Sequence, residues 1–174
     1  YIDFDINQIK YKNIKHAFIC TPSNLHYIYA KKLIENNINV VVEKPFVLKL
    51  SHANDLIKIS KNKKNLKVWV AFQNRTNLAI QKAKKVIKQK IFGNIFLVDS
   101  SLIWSRDKNY YKTSWRGNYK SDGGVLTNQA IHLLDSLIYL FGDVLQFNGI
   151  LEFNKKKLQA EDLIVLNLKH KNKI

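Results

Sequence analysis

Two short groups of residues carry side chains able to do chemistry. The first is Glu43-Lys44-Pro45, directly after Val40-Val41-Val42. A lysine placed there can hold an anion, or exchange a proton if its pKa is lowered. The second is Asn128-Gln129 with His132 and Asp135. His132 and Asp135 are three residues apart and Asn128 and His132 four, so each pair shares one face of a helix. Imidazole titrates near neutral pH, which suits His132 to general base work. Each group has a plainer reading beside the chemical one. Glu43 and Lys44 could be a strand-end ion pair meeting solvent, and His132 and Asp135 a structural pair on a packed helix. A zinc site is a poor reading, since one histidine among amides lacks the three protein ligands a catalytic zinc takes.

The elements that must position these residues read as follows. Three consecutive valines suit a buried strand, Val40–Val42, and Pro45 ends its ladder and biases Lys44 to an extended backbone. Lys44 therefore stands at the carboxyl end of a strand, the side on which α/β sheets bind ligands. One strand earlier, His16–Cys20 is apolar and is punctuated by Thr21-Pro22-Ser23-Asn24, with Ser23 or Asn24 expected to cap a helix from Leu25 to Asn36. Strand, helix and strand in this order make a βαβ unit and a parallel sheet. Ser51 is expected to cap a second helix, and residues 66–72 form a third strand ending in Gln73-Asn74-Arg75. Residues 1–14 read as the tail of a helix or a loop. This is the later part of a doubly wound, Rossmann-like parallel sheet; the first βαβ unit is missing, and no G-x-G-x-x-G occurs.

A second domain is expected from residue 77, giving domains 1–76 and 77–174. An amphipathic helix over 77–90 precedes a long strand, Ile95–Trp104. An aromatic and polar loop, 105–122, holds Arg106, Tyr110, Tyr111, Trp115, Arg116 and Tyr119; loops of that length are usually functional. Gly123-Gly124 leads into a helix from Leu126 to Phe141, closed by Gly142. Strands at Val144–Phe153 and Leu163–Leu168, joined by a lysine-rich turn, complete an open-faced α+β domain with helices on one side.

With 174 residues, 46% of them hydrophobic, the chain can bury a core. It has no methionine and starts in a polar run, so it reads as an internal piece of a longer chain. The net charge of +16 is spread through every segment as lysine, with only three arginines, Arg75, Arg106 and Arg116. A phosphate-reading surface favours arginine forks, so the expectation is no nucleic-acid partner and an acidic substrate steered inward. Cys20 is the single cysteine, which excludes a disulfide within these residues and suits a cytoplasmic setting. No apolar run approaches the ~20 residues of a membrane span.

Taken in order, Thr21-Pro22 with His26, Glu43-Lys44-Pro45, Asn74-Arg75 and a Gly-Gly helix carrying His132 and Asp135 resemble the Gfo/Idh/MocA family of NAD(P)-dependent sugar oxidoreductases. Trp104-Ser105-Arg106, Tyr110-Tyr111, Trp115-Arg116-Gly117 and the run from Asp122 to Ala130 with His132 are most similar to its bacterial UDP-N-acetylglucosaminuronate 3-dehydrogenases. Much of the family has aspartate where this chain has Asn128, and that subgroup has the Asn-Gln pair. The resemblance implies catalytic roles for Lys44 and His132, on either side of the sugar. It implies cofactor contacts from Thr21, Pro22, Ser23, Asn24, His26, Glu43, Lys44, Asn74 and Arg75. It places Arg106, Trp115, Arg116, Asn128, Gln129 and His132 at the substrate. The implied cofactor is NAD, with NADP not excluded; the implied substrate is a nucleotide-linked sugar, and the open sheet face would pair subunits of a homo-oligomer. A family dehydrogenase of a free sugar or inositol, and a non-catalytic binding protein on the same fold, are the alternatives.

Overall fold

The computed structural model describes residues 13–113, 115–154 and 158–171. Most of the helix tail or loop expected over 1–14, and the lysines 155–157 of the expected turn, lie outside them. The chain divides into two compact units, residues 1–71 with 120–122, and residues 72–119 with 123–174.

In the first unit β1 (His16–Ile19), β2 (Asn39–Glu43) and β3 (Val68–Ala71) form a parallel sheet in the order β1-β2-β3. The register sets Ile19 beside Val42 and Val40 beside Val68. The period of two then sends Val40 and Val42 to one face and Phe18, Val41 and Trp69 to the other. On the first face α1 (His26–Glu35) and α2 (Leu50–Lys61) cover the strands. Ile34, Ile38, Val40, Val42 and Leu56 are fully buried there, each stabilising by roughly 1.5–3 kcal/mol. The opposite face leaves Phe18 75% and Trp69 48% exposed.

Two expected helix caps are corrected. Ser23 and Asn24 lie inside a 3-10 turn, Ser23–Leu25, and neither side chain caps. That turn satisfies a backbone donor itself, Leu25 N–H to the Pro22 carbonyl at 2.9 Å. Ser51 falls within the first turn of α2, where the extended Lys49 is the cap residue and its carbonyl accepts from His52 and Ala53.

In the second unit α3 (Leu78–Lys88) begins at Asn77, whose Oδ1 accepts from the Ala79 N–H at 2.9 Å. The strand expected at Ile95–Trp104 is not formed: residues 93–107 have no regular structure. An apolar stretch forms a strand only where a neighbour supplies a ladder, and none of the described residues does so here. The helix expected to start at Leu126 instead opens with helical residues 124 and 125, widens into a π turn, Leu126–Ala130, and continues as α4 (Ile131–Phe141). Gly142, at φ +87°, closes it as expected, its N–H donating to the Ile138 carbonyl at 2.9 Å. β4 (Val144–Glu152) and β5 (Leu163–His170) pair antiparallel. Phe147, Ile150 and Val165 on this two-stranded sheet are exposed. Among the described residues no helix is long and apolar enough to cross a membrane.

Candidate active site

The carboxyl ends of β1 and β2 carry the first group of candidate residues. His26 opens α1 and is 1% exposed. Its Nδ1 lies 2.7 Å from the Pro45 carbonyl oxygen and its Nε2 2.9 Å from the Thr21 carbonyl oxygen. One ring thus ties the turn after β1 to the turn after β2, which is why a histidine at the start of this helix is buried. Ser23 is buried, Asn24 exposed, and Thr21 and Pro22 half-buried. Thr21 Oγ1 is buried and has no hydrogen-bond partner. A buried hydroxyl at the ligand-binding end of a parallel sheet is an unfilled polar position. The turn therefore fits a polar cofactor edge.

Lys44 follows β2, joined to Pro45 by a cis peptide. Its side chain is half-buried, and burial lowers its pKa below the ordinary lysine value, while the charges of Glu43 and Asp122 act to raise it. Glu43 is exposed, and its Oε2 accepts the Lys44 N–H at 3.1 Å. Asp122, 4% exposed, is a neighbour that sequence reading named only as the start of the run from 122 to 130, with no role of its own. Its place beside Lys44 is not written in the local sequence, since the chain segment 120–122 joins the first unit only through the fold.

The second unit holds the other candidates. Arg106 lies over Trp104 and Tyr110, each 4.9 Å to the ring centre, and Arg116 lies over Tyr110 at 4.3 Å and Trp115 at 5.1 Å. Tyr110 thus holds two guanidinium groups, and Arg116 Nε is buried without a hydrogen-bond partner. Asn128 and Gln129 sit in the π turn, Gln129 Nε2 donating to Asn128 Oδ1 at 3.1 Å. His132 is half-buried in the first turn of α4.

The alternative pairing of His132 with Asp135 gives way to a different arrangement. Asp135, 7% exposed, receives Arg75 through Nε at 2.9 Å and Nη2 at 2.6 Å. Arg75 also lies over the rings of Phe72 and Tyr139, and its bonds to Asp135 raise its pKa further against partial burial. Asn74 Nδ2 reaches Ser136 Oγ at 3.4 Å, and Ser136 Oγ donates to the His132 carbonyl at 2.8 Å. Asn74 and Arg75 thus hold the helix that bears His132.

Comparison with known proteins supplies the family. Residues 80–174 match the model of the GFO/IDH/MocA C-terminal domain, and residues 3–72 that of the oxidoreductase family with an NAD-binding Rossmann fold. The chain belongs to the Gfo/Idh/MocA family. Among solved structures it is similar to the WlbA dehydrogenase from Bordetella pertussis in complex with NADH and UDP-GlcNAcA, at 31% identity and a TM-score of 0.88 over 96% of this chain and 47% of that one. A levoglucosan dehydrogenase in complex with NADH and levoglucosan matches at 27% identity and a TM-score of 0.80, over 93% of this chain and 46% of that one. The levoglucosan dehydrogenase of Pseudarthrobacter phenanthrenivorans is 31% identical over 136 residues, 76% of this chain and 34% of that protein. The chain spans less than half the length of each. The Rossmann fold and the NAD cofactor expected from the sequence agree with these matches.

Proposed function

We propose that the complete protein oxidises a ring hydroxyl, at C3, of an anionic nucleotide-linked sugar such as UDP-N-acetylglucosaminuronate, using NAD. The observation that carries this reading is the pair of arginines, Arg106 and Arg116, held over Tyr110. Two guanidinium forks pre-set on aromatic rings suit a carboxylate or diphosphate. A neutral free sugar gives them no anion to bind. The similarity to WlbA, whose structure contains UDP-GlcNAcA, supports the same substrate class.

In this reading the turn Thr21-Pro22-Ser23-Asn24, His26 and Glu43 hold the cofactor, which when bound supplies the hydride acceptor. Lys44 takes the hydroxyl proton as the C3 hydrogen leaves with its electron pair. Its lowered pKa favours the neutral amine that this needs. His132, Asn128 and Gln129 orient the sugar ring, and Trp115 packs beside it. Lys44 serves as base and His132 as a hydrogen-bonding group to the sugar.

The levoglucosan dehydrogenases support a second reading, a neutral sugar as substrate. Comparing kcat/KM for UDP-N-acetylglucosaminuronate and levoglucosan separates the two. The proposal expects turnover with the nucleotide sugar and a KM at least tenfold higher in Arg116→Ala. Turnover with levoglucosan alone would replace it with the second reading.

A further inference from the structure

The lysine-rich connection between β4 and β5 ends in a segment, Leu158 to Glu161, that sequence reading passed over as part of a turn. Two of its residues are nearly inaccessible, Ala160 at 2% and Glu161 at 5% exposure. A glutamate so buried needs donors. Glu161 has them at the start of the helix that leads to His132. Its Oε1 accepts the Leu126 N–H at 3.0 Å, and its backbone carbonyl accepts the Val125 N–H at 3.1 Å. These are two of the amides that a helix start leaves unsatisfied. A carboxylate there also opposes the positive end of the helix dipole.

The same contact explains Gly124. Its φ of +81° lies in the left-handed region, and a Cβ on it would overlap the Glu161 carboxylate. So the carboxylate occupies the place a side chain would take, close against the backbone of residues 124–126. The segment also reaches the arginine loop. Gln159 N–H donates to the Gly117 carbonyl at 2.9 Å, and the Leu158 side chain packs on Gly117, next to Arg116.

We infer that Glu161 is a positioning residue: a helix cap supplied from a distant loop that fixes the π turn and first α4 turn, and with them Asn128, Gln129 and His132. This rests on the functional reading given above. The π turn makes the cap necessary. Hydrogen bonds of π geometry hold a helix start less well than α ones, and this start has neither a Ser, Thr, Asp nor Asn cap of its own. Without the Glu161 carboxylate the amide at 126 turns to water, the Val125 N–H keeping only the backbone carbonyl of residue 161, and the helix start frays.

The test is Glu161→Ala and Glu161→Gln in the complete protein. Three readouts are taken: turnover with the nucleotide sugar, NADH affinity, and hydrogen exchange in the peptide spanning 123–132. Glu161→Ala is expected to lower kcat at least tenfold, to leave the NADH Kd within twofold, and to raise exchange at 126–128. Glu161→Gln keeps an oxygen acceptor and is expected to recover kcat to within threefold of the parent. A structural role alone would lower the thermal midpoint while each folded, NADH-binding molecule kept its kcat. A Glu161→Ala protein that binds NADH and turns over within twofold of the parent overturns the inference. If the parent itself oxidises no sugar, the functional reading fails; exchange then decides the cap alone, and unchanged protection at 126–128 overturns it.

Discussion

In the proposed reaction Lys44 is the residue on which the chemistry turns. Burial lowers its pKa, and the two neighbouring carboxylates, Glu43 and Asp122, act against that shift. The neutral amine is the basic form, so kcat/KM should fall as pH drops through the Lys44 pKa, at a pH below that of an ordinary lysine. Removing either negative charge removes an influence that raises the pKa. Asp122→Asn should therefore move the acidic limb of the pH–rate profile to lower pH, and a limb that moves to higher pH contradicts the assignment. Lys44→Ala should lower kcat by about 10²–10⁴-fold. Turnover within a few-fold of the parent in steady-state assays would remove Lys44 from the mechanism. The ion pair of Arg75 and Asp135 belongs to the same scale. Arg75→Ala leaves a carboxylate 7% exposed without its guanidinium. That loss should destabilise the protein by about 1–3 kcal/mol in a denaturant titration.

At the scale of elements, the first unit is a βαβ array whose helices are held by a few buried side chains. Leu56 of α2 is 1% exposed against the face of Val40 and Val42. Leu56→Ala should cost about 2–5 kcal/mol, measured by chemical unfolding, and a change under 1 kcal/mol would mean that α2 does not pack as described. This unit was legible in the sequence because its signals are local: three valines, a proline after them, helical spacing in α1 and α2. The caps were less legible. Ser23 and Ser51 have the right chemistry, yet a 3-10 turn and the extended Lys49 supply what they would have supplied. In the second unit the failures share one cause. Residues 95–104 are rich in apolar and β-branched types like a strand, but a ladder needs a neighbour that composition does not specify. The π turn at Leu126–Ala130 and its partner Glu161 depend on a contact across 35 residues of chain. The Gly-Gly pair was read only as the lead into a helix, and not as room for the Glu161 carboxylate. The candidate site divides the same way: Lys44 and His132 stand out by type and spacing and His26 through the family resemblance, whereas the parts played by Asp122 and Glu161 emerge only once the chain is folded.

Across the whole molecule the charge is +16 and dispersed as lysine. Such a field attracts an anionic substrate to its site and is screened by salt. For the nucleotide sugar, kcat/KM should fall as ionic strength rises from roughly 0.05 to 0.5 M, with kcat nearly constant, since screening acts on encounter. A neutral sugar substrate would show no such dependence. The central claim is narrower than charge: the hydride comes from C3 of a nucleotide-linked sugar. The most direct measurement uses UDP-N-acetylglucosaminuronate deuterated at C3, mixed with the complete protein and NAD. Absorbance at the NADH band is followed and the coenzyme is then weighed by mass spectrometry. The account predicts that the band grows and that the NADH formed carries the deuterium. A band that grows with unlabelled NADH would place the oxidation at another carbon, and no band with this sugar would contradict the assignment of substrate.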